Sequence, residues 1–341
     1  MAGIRTTLHI GGEKTGTTSI QSFLSSNRSV LRESGILFPT SLGSANHELL
    51  AIFASPTAGT EDLKALLGLN SGHALDSLRS SLPSTLLREV SESGCSEVVI
   101  SNEHCSSRLT EETAVQRVRQ ILETFSTATR IMIYLRRQDE LLLSAYSTSV
   151  KAGETRPLRI PERNGLIYYD YLKILNLWAK VFGQSNIIVK IYHEDTLFRG
   201  DIIDDFIQTM GFSNLPKTLP RPQLRLNRSL DLTTLEFLRV FNSHIPPILA
   251  GRVNPGRSNI VEVLERLSGD SRSCFDSKEL ARFFALFTPS NSEVARRFLG
   301  RADGRLFPES KNDPGQPPPS LDLAEAIRLA AELWAYRHRN S

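Results

Sequence analysis

Residues 7–24 constrain this chain more than any other stretch. An apolar run from Thr7 to Ile10 is followed by two glycines, Glu13-Lys14-Thr15, a third glycine, and then Thr17-Thr18-Ser19 leading into Ile20, Phe23 and Leu24. The apolar run has strand character, and the spacing of Ile20, Phe23 and Leu24 is that of one face of a helix. A strand-to-helix turn of this kind points several backbone N–H groups at one spot, where the helix dipole also favours an anion. Gly11, Gly12 and Gly16 let the backbone come close, and Lys14 adds a full positive charge. Thr15, Thr17, Thr18 and Ser19 supply hydroxyl donors. The stretch reads as a cradle for a phosphate or sulfate group.

Which cradle it is depends on the position of the lysine. Gly11 and Gly16 have the spacing of a Walker loop, but Thr17 stands where that loop carries its lysine. The lysine instead precedes the glycine by two. The order Lys14-Thr15-Gly16-Thr17-Thr18 resembles the 5′-phosphosulfate loop of the sulfotransferases that use 3′-phosphoadenosine 5′-phosphosulfate (PAPS). A P-loop-type nucleotide kinase, a non-catalytic nucleotide or anion-binding protein, and a plain structural turn are the other readings.

Composition narrows the class. The chain has 341 residues, 40% of them hydrophobic and 23% charged, which fits a globular enzyme with a sizeable core. A net charge of +3 lacks the strong basic bias of a nucleic-acid binder. Cys95, Cys105 and Cys274 are far apart and form neither a disulfide framework nor a metal-spaced set. With no signal peptide and no long apolar run, the expectation is a cytoplasmic protein without a transmembrane segment.

Along the chain, the apolar run Val98-Val99-Ile100 reads as a buried strand of a parallel sheet, Arg130 to Leu135 as a second strand and Asn186 to Tyr192 as a third. Gly35 to Pro39 reads as a short extended segment. Helices are expected at 61–93, 111–126, 138–149, 167–182 and 202–210. Beyond 213 the chain reads as mostly helical, at 230–243, 258–268, 277–299 and 321–337, with a stiff Pro-rich connector at 314–319. The expected fold is α/β, a doubly wound parallel sheet in a P-loop-like three-layer α/β/α arrangement. It carries a helical C-terminal extension, with a core at 1–212 and an extension at 213–341 that is either part of the same domain or separate.

In open α/β sheets ligands sit beyond the carboxyl ends of the strands. The strand at 98–100 ends in Ser101-Asn102-Glu103-His104, so Glu103 and His104 are expected near the cradle if that strand neighbours the first. His47, on the loop beyond the first helix, is a third candidate facing the acceptor. Arg136 ends a strand and Ser144 follows eight residues later on the next helix. That pair resembles the 3′-phosphate site of the PAPS sulfotransferases, a guanidinium fork completed by a hydroxyl. His193-Glu194-Asp195 resembles the family's Tyr-Glu-Asp corner beside the adenine, with histidine in place of tyrosine and Tyr192 adjacent. Arg221, Arg225 and Arg228 loosely resemble a basic loop that closes over the nucleotide.

The resemblance implies a soluble, bacterial-type, PAPS-dependent sulfotransferase that releases 3′-phosphoadenosine 5′-phosphate (PAP) and requires no metal. Its acceptor would be a hydroxyl or amine of a carbohydrate, glycolipid or small molecule. Gly12, Lys14, Thr15, Gly16, Thr17, Thr18 and Ser19, with Arg136, Ser144 and His193, are then expected to hold the donor. Lys14 would serve the leaving oxygen, with Glu103, His104 or His47 as the base. Oligomeric state is not readable from the sequence.

Overall fold

The continuous apolar runs become the strands of one all-parallel sheet. They are β1 (Arg5–His9), β2 (Ile36–Leu37), β3 (Glu97–Ser101), β4 (Ala128–Leu135) and β5 (Ile187–Ile191), in the order β2-β3-β1-β4-β5. In β1 every residue after Arg5 is buried, as expected of a central strand covered on both faces. This computed structural model describes residues 3–56, 60–212, 215–216, 219–221, 230–249, 252–257, 259–268, 277–309 and 321–339.

The crossovers run both ways from β1. The chain leaves β1 through α1 (Thr17–Ser26) and moves outward to β2. It then returns past β1 through α2 (Glu112–Glu123) to β4 and through α3 (Tyr171–Phe182) to β5. With right-handed connections, opposite directions of travel place helices on opposite faces. α1 and α4 (Ile202–Met210) share one face, where Ile20, Phe23 and Leu24 pack with Met132, Tyr134 and Phe206. The expected doubly wound sheet with helices on both faces is what is observed.

The chain forms two compact units. The first comprises 1–136, 165–223 and 289–307 and holds the whole five-stranded sheet. The second comprises 137–164, 224–288 and 308–341. Its described residues are mostly helical, with one antiparallel pair among them, Ile248–Leu249 against Arg252–Val253. Its core gathers Val150, Leu235, Leu238, Leu264, Leu329 and Leu333.

Two expected elements divide. The leucine-rich stretch at 61–93 forms Glu61–Leu66 and Gly72–Ser93, interrupted at Gly68, whose φ of 69° no helix accommodates. The stretch at 277–299 forms Ser277–Ala285 and Thr288–Leu299. Cys95 and Cys105 are free and buried, whereas Cys274 and the Pro-rich stretch at 314–319 lie outside the described residues. Among the described residues no helix is long and apolar enough to cross a membrane.

Candidate active site

The turn after β1 takes its shape from four residues in left-handed conformation, Gly11, Gly12, Lys14 and Gly16, with φ between 63° and 83°. A turn rich in left-handed residues suits an anion nest, in which successive N–H groups face one side. Two of the glycines are also required by crowding. A Cβ on Gly11 would lie 2.4 Å from the Glu103 Cα, and one on Gly12 would lie 2.2 Å from the Tyr134 carbonyl oxygen. The Thr15 hydroxyl donates to the Gly12 carbonyl at 2.5 Å and closes the turn. Gly16 then caps α1 with no side-chain hydrogen bond, which leaves the first amides of the helix unclaimed by a capping side chain. Thr17 is buried, Ser19 half-buried and Thr18 exposed.

Lys14 is one of three non-glycine residues with positive φ among the described residues. A lysine pays about 1–2 kcal/mol for that conformation, so the surroundings must hold it. Arg136, just past the end of β4, does so: its Nη1 donates to the Lys14 carbonyl at 3.1 Å. The Arg136 guanidinium also lies 5.6 Å from the centre of the Tyr192 ring, and its carbonyl accepts from the Tyr171 hydroxyl. Tyr192 in turn borders Gly16, where a Cβ would lie 3.2 Å from its ring. The half-buried Lys14 ammonium makes no ion pair with any described carboxylate, whereas Lys151, Lys173, Lys180 and Lys190 all do.

β3 does neighbour β1, with Ser101 opposite His9. The Asn102 amide donates to the His9 carbonyl at 2.9 Å and carries the ladder one residue further, which delivers Glu103 onto Gly11. The Glu103 carboxylate is held on both oxygens. Gln21 Nε2 donates to one at 2.6 Å, and Asn46 Nδ2 to the other at 3.4 Å. His104 turns elsewhere, with Nδ1 3.9 Å from the Glu13 carboxylate. That nitrogen is buried and hydrogen-bonds to no described residue, and the same is true of the Tyr168 hydroxyl. Burial, followed by the charge of Glu13, pushes the Tyr168 hydroxyl well above its ordinary range and the Tyr169 hydroxyl up to about 12. Glu13, Glu103, His104, Tyr168 and Tyr169 thus form one polar cluster beside the nest.

His47 is corrected from candidate base to structural residue. It is fully buried beside Phe38, with ring centres 4.3 Å apart. Its Nδ1 accepts from the Ser101 amide at 3.1 Å, and its Nε2 donates to the Pro39 carbonyl at 2.9 Å. Burial takes its pKa down to about 3, so it stays neutral with neither nitrogen open to a substrate. His193 is half-buried and its Nδ1 accepts from the Asp195 amide, while the adjacent Tyr192 is the ring that meets the nest. Ser144 is half-buried on the second unit's helix Gln138–Ala152. Arg221 pairs with Asp201 at 3.0 Å and with Asp204, and Arg225 and Arg228 lie outside the described residues.

Sequence reasoning passed over Gln21, Asn46, His9, Glu13, Tyr168 and Tyr169. Gln21 had a usable signal: it stands three residues before Leu24, so a polar side chain falls on the buried stripe of α1. Tyr168 and Tyr169 come from a 3₁₀ turn, Arg163–Tyr169, remote in sequence, and carry no such signal.

No family model matches the chain. A protein of Archaeoglobus fulgidus described only as uncharacterized is 30% identical over 185 residues, covering 53% of this chain and 49% of that one. The chain thus spans about half the length of this curated relative. A crystal structure described as a sulfotransferase from Alicyclobacillus acidocaldarius is 18% identical, covering 69% of this chain and 92% of that chain with a TM-score of 0.40. The strand order and register, rather than this likeness, define the fold.

Proposed function

We propose that the chain is a sulfotransferase that takes its sulfuryl group from PAPS. One observation carries the reading: Arg136 donates to the backbone carbonyl of Lys14, so a guanidinium stands against the nest residue whose ammonium pairs with no described carboxylate. A donor with one phosphate and one phosphosulfate group needs two separate cationic centres, and a bare structural turn needs neither. The residues present fit such a donor. The backbone N–H groups around Gly12, Thr15, Gly16, Thr17 and Thr18 suit its 5′ end, with the hydroxyl of Ser19 at the next position of α1. Arg136 suits the 3′-phosphate. Tyr192 offers a face for the base, with His193 next to it.

Bound PAPS supplies an activated sulfuryl group whose S–O bond breaks toward the phosphate. Lys14 and the nest amides then hold the charge that develops on the leaving oxygen, and they do so without reorganising during transfer. Glu103 accepts the proton of the acceptor hydroxyl or amine. Its carboxylate, kept in place by Gln21 and Asn46, retains lone pairs for that proton. His104 is the rival base, from its place beside Glu13. The acceptor is a carbohydrate, glycolipid or small metabolite, and the protein acts in the cytoplasm.

Calorimetry with PAP and with adenosine 5′-phosphate, which lacks the 3′-phosphate, tests the donor. Arg136→Ala should weaken PAP binding by roughly 10–100-fold, the worth of a charge-assisted contact, and the shorter nucleotide far less. Equal losses for both would remove Arg136 from that role, and no PAP binding by the wild type would reject the reading. Radiolabelled PAPS incubated with a desalted cell extract, followed by mass spectrometry of the labelled product, identifies the acceptor.

A further inference from the structure

Four polar side chains from four different segments form a chain that ends on Glu103. His9 Nδ1 and the Ser101 hydroxyl are 2.9 Å apart, and both residues are fully buried. Gln21 Nε2 lies 3.4 Å from that hydroxyl, 3.4 Å from Asn46 Oδ1 and 2.6 Å from Glu103 Oε2. Gln21 is itself 4% exposed. Its amide is the one group that touches every other part: the buried anchor, the loop beyond α1 and the carboxylate. The anchor does not titrate near neutrality, because burial takes His9 down to about 3. Its ring is wedged edge-on to Tyr134 and Phe206, each with centres 5.8 Å away.

We infer that Gln21 is a positioning residue for Glu103, and that the neutral pair His9–Ser101 sets the direction in which the Gln21 amide presents its N–H. The inference deepens the functional reading above and rests on it. A buried carboxamide is a sensible choice for this task. It donates to the carboxylate without bringing a charge that would compete with Lys14 for the substrate. Its two N–H donors share Nε2, the atom that meets the Ser101 hydroxyl, Asn46 Oδ1 and the carboxylate, so one group ties the carboxylate to both walls. A base displaced by about 1 Å can lose on the order of 100-fold in rate, so the amide acts on turnover and leaves donor binding alone.

The test is a coupling measurement. Sulfuryl transfer from radiolabelled PAPS to the acceptor pool of a desalted cell extract is followed for Gln21→Leu, Gln21→Asn, Glu103→Gln and the double variant Gln21→Leu/Glu103→Gln. Thermal melting and PAP calorimetry accompany each. Gln21→Leu should lower the maximal rate by roughly 10–100-fold with KM for PAPS and Kd for PAP within about twofold of wild type. In the Glu103→Gln background the same change should cost less than about twofold, because the group it positions is gone. Gln21→Asn, which keeps the amide but draws it back, should fall between wild type and Gln21→Leu. Wild-type rates for Gln21→Leu, or the same loss with and without the Glu103 carboxylate, would overturn the inference. If Gln21→Leu does not fold, Gln21→Asn in the two backgrounds decides by the same criterion. PAP binding without Gln21–Glu103 coupling overturns this inference alone, whereas absence of PAP binding by the wild type overturns the functional reading and this inference with it.

Discussion

Two buried polar clusters, one in each unit, differ in how far their polar groups are matched within the chain. In the second unit Asn242, 1% exposed, donates to the carbonyls of Val150 at 2.8 Å and Glu154 at 2.9 Å. Arg257 donates to Asn242, to Ile245 at 3.2 Å and to the Lys151 carbonyl at 3.1 Å, and the Lys151 ammonium meets Glu265 at 2.6 Å. Each of these donors has found an acceptor on the chain itself. In the first unit the opposite holds at the strand ends. The Lys14 ammonium pairs with no described carboxylate, and His104 Nδ1 and the Tyr168 hydroxyl hydrogen-bond to no described residue. Buried polar groups left unmatched cost about 1–3 kcal/mol each. On the function proposed above, the cluster that closes on itself is architecture and the other meets the substrates.

The largest test of that contrast is Lys14→Ala. It should lower sulfuryl transfer by roughly 100–1,000-fold, as for loss of one group at a developing anion, with little change in melting temperature. Wild-type-like turnover would put the open cluster on the same footing as the closed one.

Acid should also separate the units. His9 and His47, both in the first unit, stay neutral down to about 3, while an unfolded chain takes up those protons near 6.5. Between these values the unfolded state binds more protons, so stability falls as pH falls, by up to about 1.4 kcal/mol per pH unit for each histidine. Hydrogen exchange at pH 5 against pH 7 should show β1 and β3 losing protection before the helix Leu232–His244. The reverse order would contradict the assignment of both histidines to the core.

In the closed cluster Asn242→Ala should cost about 1–3 kcal/mol of stability, because it strands two carbonyls and part of Arg257. PAP affinity should be unchanged, and a change beyond about twofold would tie this cluster to the site.

The smallest effect has the most telling sign. Tyr168→Phe removes a buried hydroxyl with no described partner, so it should leave stability unchanged or raise it by up to about 1 kcal/mol, while reducing transfer. Clear destabilisation would show that the hydroxyl is already satisfied.

Much of the fold was legible because it rests on short-range signals. Val98 to Ile100 and Ile131 to Leu135 are uninterrupted apolar runs, as strands buried on both faces require, and the edge strand Ile187 to Ile191 admits one charge, Lys190. The Lys14 turn was legible for a similar reason: glycines at 11, 12 and 16 answer to local φ and to backbone contact. His47 misled because a histidine on a loop looks the same in sequence whether it meets solvent or a Pro39 carbonyl. Tyr168 was missed because nothing in its neighbourhood records that it will share a charge environment with Glu13 and Glu103.

What the linear order of residues determined by itself is the nest after β1 and the run of parallel strands, since both follow from local conformational preference and from apolar periodicity. Only the tertiary structure decided which polar groups have company. The pairing of β3 with β1 lays Glu103 on Gly11 and brings Gln21 to its carboxylate, while Ser101, Phe38 and Pro39 enclose His47. The reason is physical: hydrogen-bond satisfaction is a property of groups brought together from distant segments, and no single segment carries it.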